Sequence, residues 1–335
     1  MGILSLLSGV YGAAVALDRR TRRRQRLELP VVSIGNIALG GRAKTPLSLE
    51  VCRRLQGLGK IPVLLTRGYG RSSREPLWIR TQGAGTLEIW NLTNNEPCPL
   101  APDADLSEFV GDEALEIAIQ GHIDVLVASD RAAAAKRFLQ IQSLERPRMA
   151  SMGIFVLDDG FQHWSLQRDL DIVIIRAEDL RDKLLPAGRL RESPQALERA
   201  QLIFELGTDL FKRSVVSEKL SEDPSEILVI TTRAPDPDFK VELERVLGKI
   251  PFTVKALNDH ATRREILEAK QGFGGRVLMG WKEHAKFLSP ADLANRKSLS
   301  NEDLMGLILE FSDGGKRLES ALSQLVAHDR PETRV

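Results

Sequence analysis

The sequence predicts an α/β fold, a parallel sheet covered on both faces by helices. Three observations carry that prediction. Apolar, β-branched runs of strand length alternate with stretches of helical spacing. The run "LPVVSIG" (29–35) leads through a glycine-rich loop straight into a helix. A later run, "GIFVLDD" (153–159), ends in two carboxylates.

The 335 residues are enough for a large core and two domains, and the composition is that of an ordinary globular α/β protein. A net charge of +1 excludes any bulk electrostatic argument for a nucleic-acid partner. Cys52 and Cys98 are too few for a disulfide framework, which fits a reducing cytosol, and five scattered histidines give no zinc spacing.

The first segment, "ILSLLSGVYGAAVAL" (3–17), is almost wholly apolar, and "DRRTRRRQR" with six arginines follows it. It is shorter than the ~18–20 residues of a spanning helix. Its charge lies on the wrong side for a signal peptide. An apolar helix with a basic collar suits a membrane surface, where arginines meet anionic headgroups at ~1 kcal/mol each. Packing on the protein's own core is the alternative.

After the strand at 29–35, Leu47, Val51, Leu55 and Leu58 recur at helical spacing, with Pro46 tolerated in the first turn. "IPVLLT" (61–66) is a second strand. "PLWIRT" and "TLEIWN" form a hairpin around Gly83 and Gly85. "VGDEALEIAIQ" opens a helix, "IDVLVA" (123–128) is a strand and "DRAAAAKRFLQIQ" a helix. "LDIVII" (170–175) is a further strand. A polar stretch near 205–226 marks a domain boundary, after which "ILVITT" (227–232), "FTVKAL" and "RVLM" resume the rhythm. Period alone does not type "LMGLILEF" (304–311).

Strand, glycine-rich loop and helix is the context of a phosphate-binding loop. Backbone N–H groups of Gly40, Gly41, Arg42, Ala43, Lys44 and Thr45 would face the anion, and Lys44 would bridge the outer phosphates. The Thr45 hydroxyl would ligate Mg²⁺, and strand-end Asp158 and Asp159 supply the carboxylates such an ion needs. Four other clusters read as site loops. "TRGYGR" carries Arg67 and Arg71; "FVGDEA" carries Asp112 and Glu113; "LLPAGRLRE" carries Arg189, Arg191 and Glu192; "LNDHA" carries Asp259 and His260. Singly, each is equally a surface turn or cap.

The ordered series "GNIALGGRAKTP", "RGYGR", "VGDE", "SDR", "DDGFQH", "LPAGRLRE" and "DH" resembles the tetraacyldisaccharide 4'-kinases, the lipid A 4'-kinases of Gram-negative bacteria, from about residue 4 to 311. The resemblance implies a P-loop NTPase-like three-layer domain over 27–210, a smaller α/β domain with linker over 211–335, and a membrane-associated helix with its collar over 1–26. It implies transfer of the ATP γ-phosphate, with Mg²⁺, to the 4'-hydroxyl of a glycolipid, tetraacyldisaccharide 1-phosphate. That reaction would run at the cytoplasmic face of the inner membrane, in a cleft between the domains, with no protein partner implied. Asp112 would be the general base and His260 its partner. Glu113 would be a carboxylate near the metal, and Arg67, Arg131, Gln162, His163, Arg191 and Glu192 would line the nucleotide and acceptor sites.

Two departures bear on function. The family pattern has glycine where Ala43 stands; if the position is left-handed, alanine costs about 1–2 kcal/mol there. The segment "GWKEHAKF" (280–287) keeps Lys282 and Glu283 of a different family motif. A non-catalytic membrane-surface paralogue that binds lipid or nucleotide is therefore the alternative expectation.

Overall fold

The computed structural model describes every residue except 1–2, 41–42, 83–85, 147, 217–225, 233–236, 259–260, 291, 293–302 and 329–335. Helix α1 (Ile3–Thr21), strand β1 (Val31–Gly35), helix α2 (Lys44–Gly57) and strand β2 (Ile61–Thr66) come first. Strands β3 (Leu77–Thr81), β4 (Leu87–Asn91) and β5 (Glu96–Pro97) precede helices α3 (Leu106–Val110) and α4 (Asp112–Gly121) and strand β6 (Asp124–Val127). Next are helices α5 (Arg131–Glu145) and α6 (Met149–Met152) and strands β7 (Gly153–Leu157), β8 (Leu170–Ile175), β9 (Leu202–Glu205) and β10 (Leu210–Val216). The remainder alternates: β11 (Ile227–Thr231), α7 (Pro237–Leu247), β12 (Phe252–Ala256), α8 (Arg263–Lys270), β13 (Arg276–Gly280), α9 (Trp281–Phe287), β14 (Asp303–Phe311) and α10 (Lys316–His328). The stretch that period alone left untyped is thus strand β14.

The chain divides into two compact units that interleave along the sequence. One holds Met1–Arg67, Asp130–Lys212 and Leu309–Val335; the other holds Gly68–Ser129 and Arg213–Ile308. The sequence expectation, a contiguous core over 27–210 followed by a domain over 211–335, differs from this division. Nothing in composition marks the chain's exit after Arg67 or its return at Asp130, because regular elements continue on both sides.

In the first unit, strands β2, β7, β1, β8 and β9 lie side by side in that order, all parallel. Every residue of β1, β7 and β8 is buried, which is why these runs are continuously apolar instead of alternating. Helix α2 lies against β1 and β2. Because β1 and β7 are parallel neighbours, the loops leaving their C-terminal ends share one edge of the sheet, where ligands of open α/β sheets bind. Helix α10 docks on α2 through Arg54, whose guanidinium bonds Glu50 at 2.7 Å and the Gly315 carbonyl at 3.2 Å.

The second unit contains an antiparallel ladder and a parallel sheet. Strand β4 pairs antiparallel with β3, and β3 with β6; residues 83–85 of the predicted hairpin turn lie outside the described residues. Strand β4 alternates buried and half-buried positions, as a one-sided strand should. Strands β12, β11, β13 and β14 form the parallel sheet.

Helix α1 touches the 184–187 segment at a few points. Ser8, buried, donates to the Leu184 carbonyl at 2.8 Å and accepts from the Ala187 N–H at 3.2 Å. Gly12 adjoins the Leu184 side chain so closely that a Cβ there would sit 2.9 Å from it. Most of the helix is exposed, including Ile3, Leu4, Leu6, Leu7, Val10 and Leu17. Among the described residues, no helix is long and apolar enough to cross a membrane.

Candidate functional site

The loop after β1 begins in close packing. Gly35 closes the strand where a Cβ would lie 2.6 Å from the Cβ of Phe161. Asn36 is fully buried, and its amide donates to the Ala38 carbonyl at 2.7 Å, which curls the chain. The irregular segment 184–192 is stitched along this loop: the Leu39 N–H donates to Arg189 O at 2.8 Å, and the Arg191 N–H to Ile37 O at 2.7 Å. Gly40 takes a left-handed φ of 102°, while Gly41 and Arg42 lie outside the described residues. Ala43 caps helix α2 at φ 58°, ψ 31° and is buried. The left-handed conformation anticipated for this position is real, so the methyl group carries about 1–2 kcal/mol of backbone strain.

Lys44, the first residue of α2, reaches two oxygens at 3.4 Å: Asp159 Oδ1 and Asn36 Oδ1. Thr45 follows in the same turn, half-buried. The two strand-end aspartates then part company. Asp158 is buried and accepts a hydrogen bond from Ser48 Oγ at 3.0 Å. Burial and the neighbouring Asp159 raise its pKa, with Ser48, Lys44 and Arg131 opposing. Asp159, at a left-handed φ of 46°, is gripped by both Arg191 nitrogens at 2.8 and 2.9 Å. Burial alone would raise its pKa, but the Arg191 hydrogen bonds and charge, with Lys44, outweigh it and hold the carboxyl below its usual range. Arg191 also bonds Asn36 Oδ1.

Ser48 is the polar partner that sequence reasoning missed. It lies one turn after Thr45, on the same helical face, and that spacing could have found it. Thr45, Asp158 and Asp159 offer only hard oxygen donors, the set that suits Mg²⁺. Among the described residues no group of three or more His, Cys, Asp or Glu forms a metal cage. The set fits an ion that keeps waters and takes phosphate oxygens, as Mg²⁺ does.

Arg131, nearly buried, supports the aspartate loop from beneath. It donates to the Asp158 carbonyl at 2.9 Å and to His163 Nδ1 at 2.8 Å. Burial and the nearby Arg67 lower its pKa to about 10, with Asp159 and Asp158 opposing. Because a guanidinium only donates, His163 Nδ1 accepts, and Nε2–H donates to Ser165 Oγ at 2.9 Å. Burial, then the Arg131 and Arg168 charges, pushes the His163 pKa down to about 3, so the ring is neutral. Gln162 Nε2 donates at 2.9 Å to both Asn36 O and Glu192 Oε1. Glu192, buried, is held by Arg199 at 2.9 and 3.1 Å, and Arg199 stacks over Phe161 and Trp164. Asn36, Ser165 and Arg199 therefore complete a framework the motifs only partly named. Arg67 is exposed at the end of β2.

In the second unit, the "RGYGR" and "VGDE" loops meet at two glycines. Gly68 and Gly111 have φ 68° and 96°, and a Cβ on Gly111 would lie 3.2 Å from the Gly68 Cα. Arg71 fastens this loop by donating to the Glu75 and Val127 carbonyls at 2.8 and 3.1 Å. Asp112 opens helix α4; its Oδ1 accepts the Glu113 N–H at 2.9 Å. Its Oδ2 lies 3.5 Å from Lys282 Nζ and 3.7 Å from Lys286 Nζ. Glu113 itself is exposed. Glu116, one turn on, has its pKa raised to about 8 by burial, then by the charges of Glu283 and Glu113. Asp259 and His260 lie outside the described residues, as does any pairing of Asp112 with His260.

A lysine next to a left-handed helix cap, a helical serine on a strand-end aspartate and a stitched arginine loop stand at one edge of the parallel sheet of an α/β protein. The chain belongs to the tetraacyldisaccharide-1-P 4'-kinase (LpxK) family, whose model matches residues 2–244. It is 38% identical over 210 residues to a tetraacyldisaccharide 4'-kinase of Anaeromyxobacter dehalogenans, covering 60% of this chain and 48% of that one. A namesake from Chlorobaculum parvum is 32% identical over 235 residues, 68% of this chain and 59% of its own. The chain spans about half the length of the curated relatives it matches. A crystal structure of LpxK from Aquifex aeolicus in complex with ATP shares the fold. The TM-score is 0.68 at 22% identity, covering 96% of this chain and 97% of that one.

Proposed function

We propose that the chain is a kinase that transfers the γ-phosphoryl group of ATP to the 4'-hydroxyl of tetraacyldisaccharide 1-phosphate, giving lipid IVA. The observation that carries this reading is Lys44, which sits at the cap of α2 within 3.4 Å of Asp159, with Asp158 bonded to Ser48 beside it. The amides opening α2 and the Lys44 ammonium bind the anionic tail. Thr45, Asp158 and Asp159 would hold Mg²⁺, which would supply neutralisation of phosphate charge. The 4'-oxygen forms its bond to the γ-phosphorus, the bond to the β,γ-bridging oxygen breaks and ADP leaves. Asp112, with His260 as partner, takes the hydroxyl proton. Arg67, Arg131, Gln162, His163, Arg191 and Glu192 would hold the nucleotide and acceptor sides, and Glu113 would be a carboxylate available to the metal. Arg131 and His163 act by fixing the Asp158 loop.

The acceptor is reached at the cytoplasmic face of the inner membrane of a Gram-negative bacterium. Two features support that reading: the exposed apolar face of α1, and the arginine collar that follows it. A cavity of about 350 Å³ between α1 and the 184–199 segment, lined by Gly12, Arg19, Leu184, Arg191 and Arg199, suits a polar head group next to that face. Incubation with labelled ATP, Mg²⁺ and the disaccharide in detergent tests the kinase; turnover that vanishes in Asp112→Asn is expected. Deleting residues 1–26 should release the protein from vesicles, and unchanged partitioning would remove the membrane reading. The strained Ala43 favours a second reading, a non-catalytic paralogue. Absence of turnover in both the wild type and Ala43→Gly would select it.

A further inference from the structure

Helix α9 lies in the stretch where this chain departs from its family pattern, yet it is built with care. Glu283 is buried, and its Oε1 accepts both the N–H and the hydroxyl of Thr232 at 2.7 Å, tying α9 to the end of β11. A Cβ at Gly280 would collide with the Glu283 carboxylate, so glycine at 280 leaves room for that anchor. At its other end, Arg263 donates to the Phe287 carbonyl at 2.9 Å. Held at both ends, α9 packs on α4.

Lys282 and Lys286 are four residues apart, which aligns them on one helical face. Both ammoniums converge on the same oxygen, Asp112 Oδ2, at 3.5 and 3.7 Å. The other oxygen is bonded to the Glu113 N–H. One hydrogen bond within α4 and two ion pairs from the anchored α9 therefore restrain the carboxylate from both sides. Lys286 is buried, and taking an ammonium out of water is unfavourable unless carboxylates answer it; Asp112 does, and Glu265 lies within range. Lys282 is only half-buried, so folding does not require it in the same way.

We propose that Lys282, with Lys286, is a positioning residue for Asp112, fixing the plane of the carboxylate that receives the acceptor proton. The inference rests on the kinase reading above. A proton acceptor works only within hydrogen-bond reach of the hydroxyl it serves, and a misplacement of about 1 Å costs on the order of 10²-fold. Nucleotide affinity does not depend on this orientation.

The test uses the full chain with labelled ATP, Mg²⁺ and tetraacyldisaccharide 1-phosphate in micelles. Lys282→Met should lower kcat about 10–100-fold while leaving KM for ATP within about twofold. Its thermal melting should match the wild type, and Lys282→Arg, which keeps the cation, should recover most of the loss. Wild-type kcat in Lys282→Met overturns the inference. So does Lys282→Arg as impaired as Lys282→Met, or a loss that comes with a raised KM and a lowered melting temperature. A wild type without turnover overturns the kinase reading, and this inference with it; turnover that ignores Lys282 overturns the inference alone.

Discussion

The two units bury titratable groups in opposite senses. Beneath the phosphate loop, His163 is surrounded by Arg131 and Arg168 and stays neutral, its pKa down at about 3. Beside Asp112, Glu116 faces Glu283 and Glu113 and is pushed up to about 8 by burial and by those charges. The charges acting most on His163 are arginines, and those acting most on Glu116 are carboxylates opposed by Lys282. If the proposed roles hold, the cations lie where an anionic triphosphate would bind and the carboxylates where a proton would be received.

The largest expected effect breaks the comparison on the carboxylate side. Asp112→Asn should lower kcat by about 10²–10⁴-fold with the fold intact, measured as initial rates beside a circular dichroism melt. On the cation side, Arg131→Met removes a nearly buried guanidinium that serves both the Asp158 carbonyl and His163. It should lower the unfolding free energy in urea by about 3–5 kcal/mol, because it leaves buried partners unanswered. Ser48→Ala strips the buried Asp158 of its hydroxyl donor and should cost about 1–3 kcal/mol, read in the same titration.

The pH dependence sharpens the contrast. Between about pH 6.5 and 3, the unfolded chain binds a proton at His163 that the folded protein does not. Stability from that site is present above about pH 6.5 and declines as pH falls through the window. Glu116 runs the other way: folded, it keeps its proton up to about 8, whereas the unfolded group releases it near 4.5. Its contribution is present below pH 4.5 and is lost as pH rises towards 8. His163→Asn should flatten the acid limb of stability against pH, and Glu116→Gln the neutral limb. The smallest effect is Ala43→Gly. Relief of about 1–2 kcal/mol of left-handed strain, offset by roughly 0.5–1 kcal/mol of glycine's extra chain entropy, leaves a modest gain in melting temperature.

Much of the site was legible because its chemistry comes in local motifs. Lys44 after a glycine-rich turn, Asp158 and Asp159 after four apolar residues and Asp112 at a helix start each stand in a pattern short enough to read along the chain. Ser48 and Lys282 escaped because their partners lie 110 and 170 residues away in sequence. Arg199 escaped for a related reason. Its value comes from Glu192, Phe161 and Trp164 meeting around it, and only packing brings those together.

The sequence by itself determined that β1, β7 and β8 are strands covered on both faces. Apolar continuity reports burial directly, because water rejects every residue of such a run. Tertiary structure alone decided that Gly68–Ser129 folds with Arg213–Ile308, that Ala43 is left-handed, and that Asp158 and Asp159, adjacent in the chain, answer to different partners. Those outcomes depend on which surfaces close over one another. Backbone strain and ion pairing are fixed by neighbours in space, and a linear pattern carries no record of them.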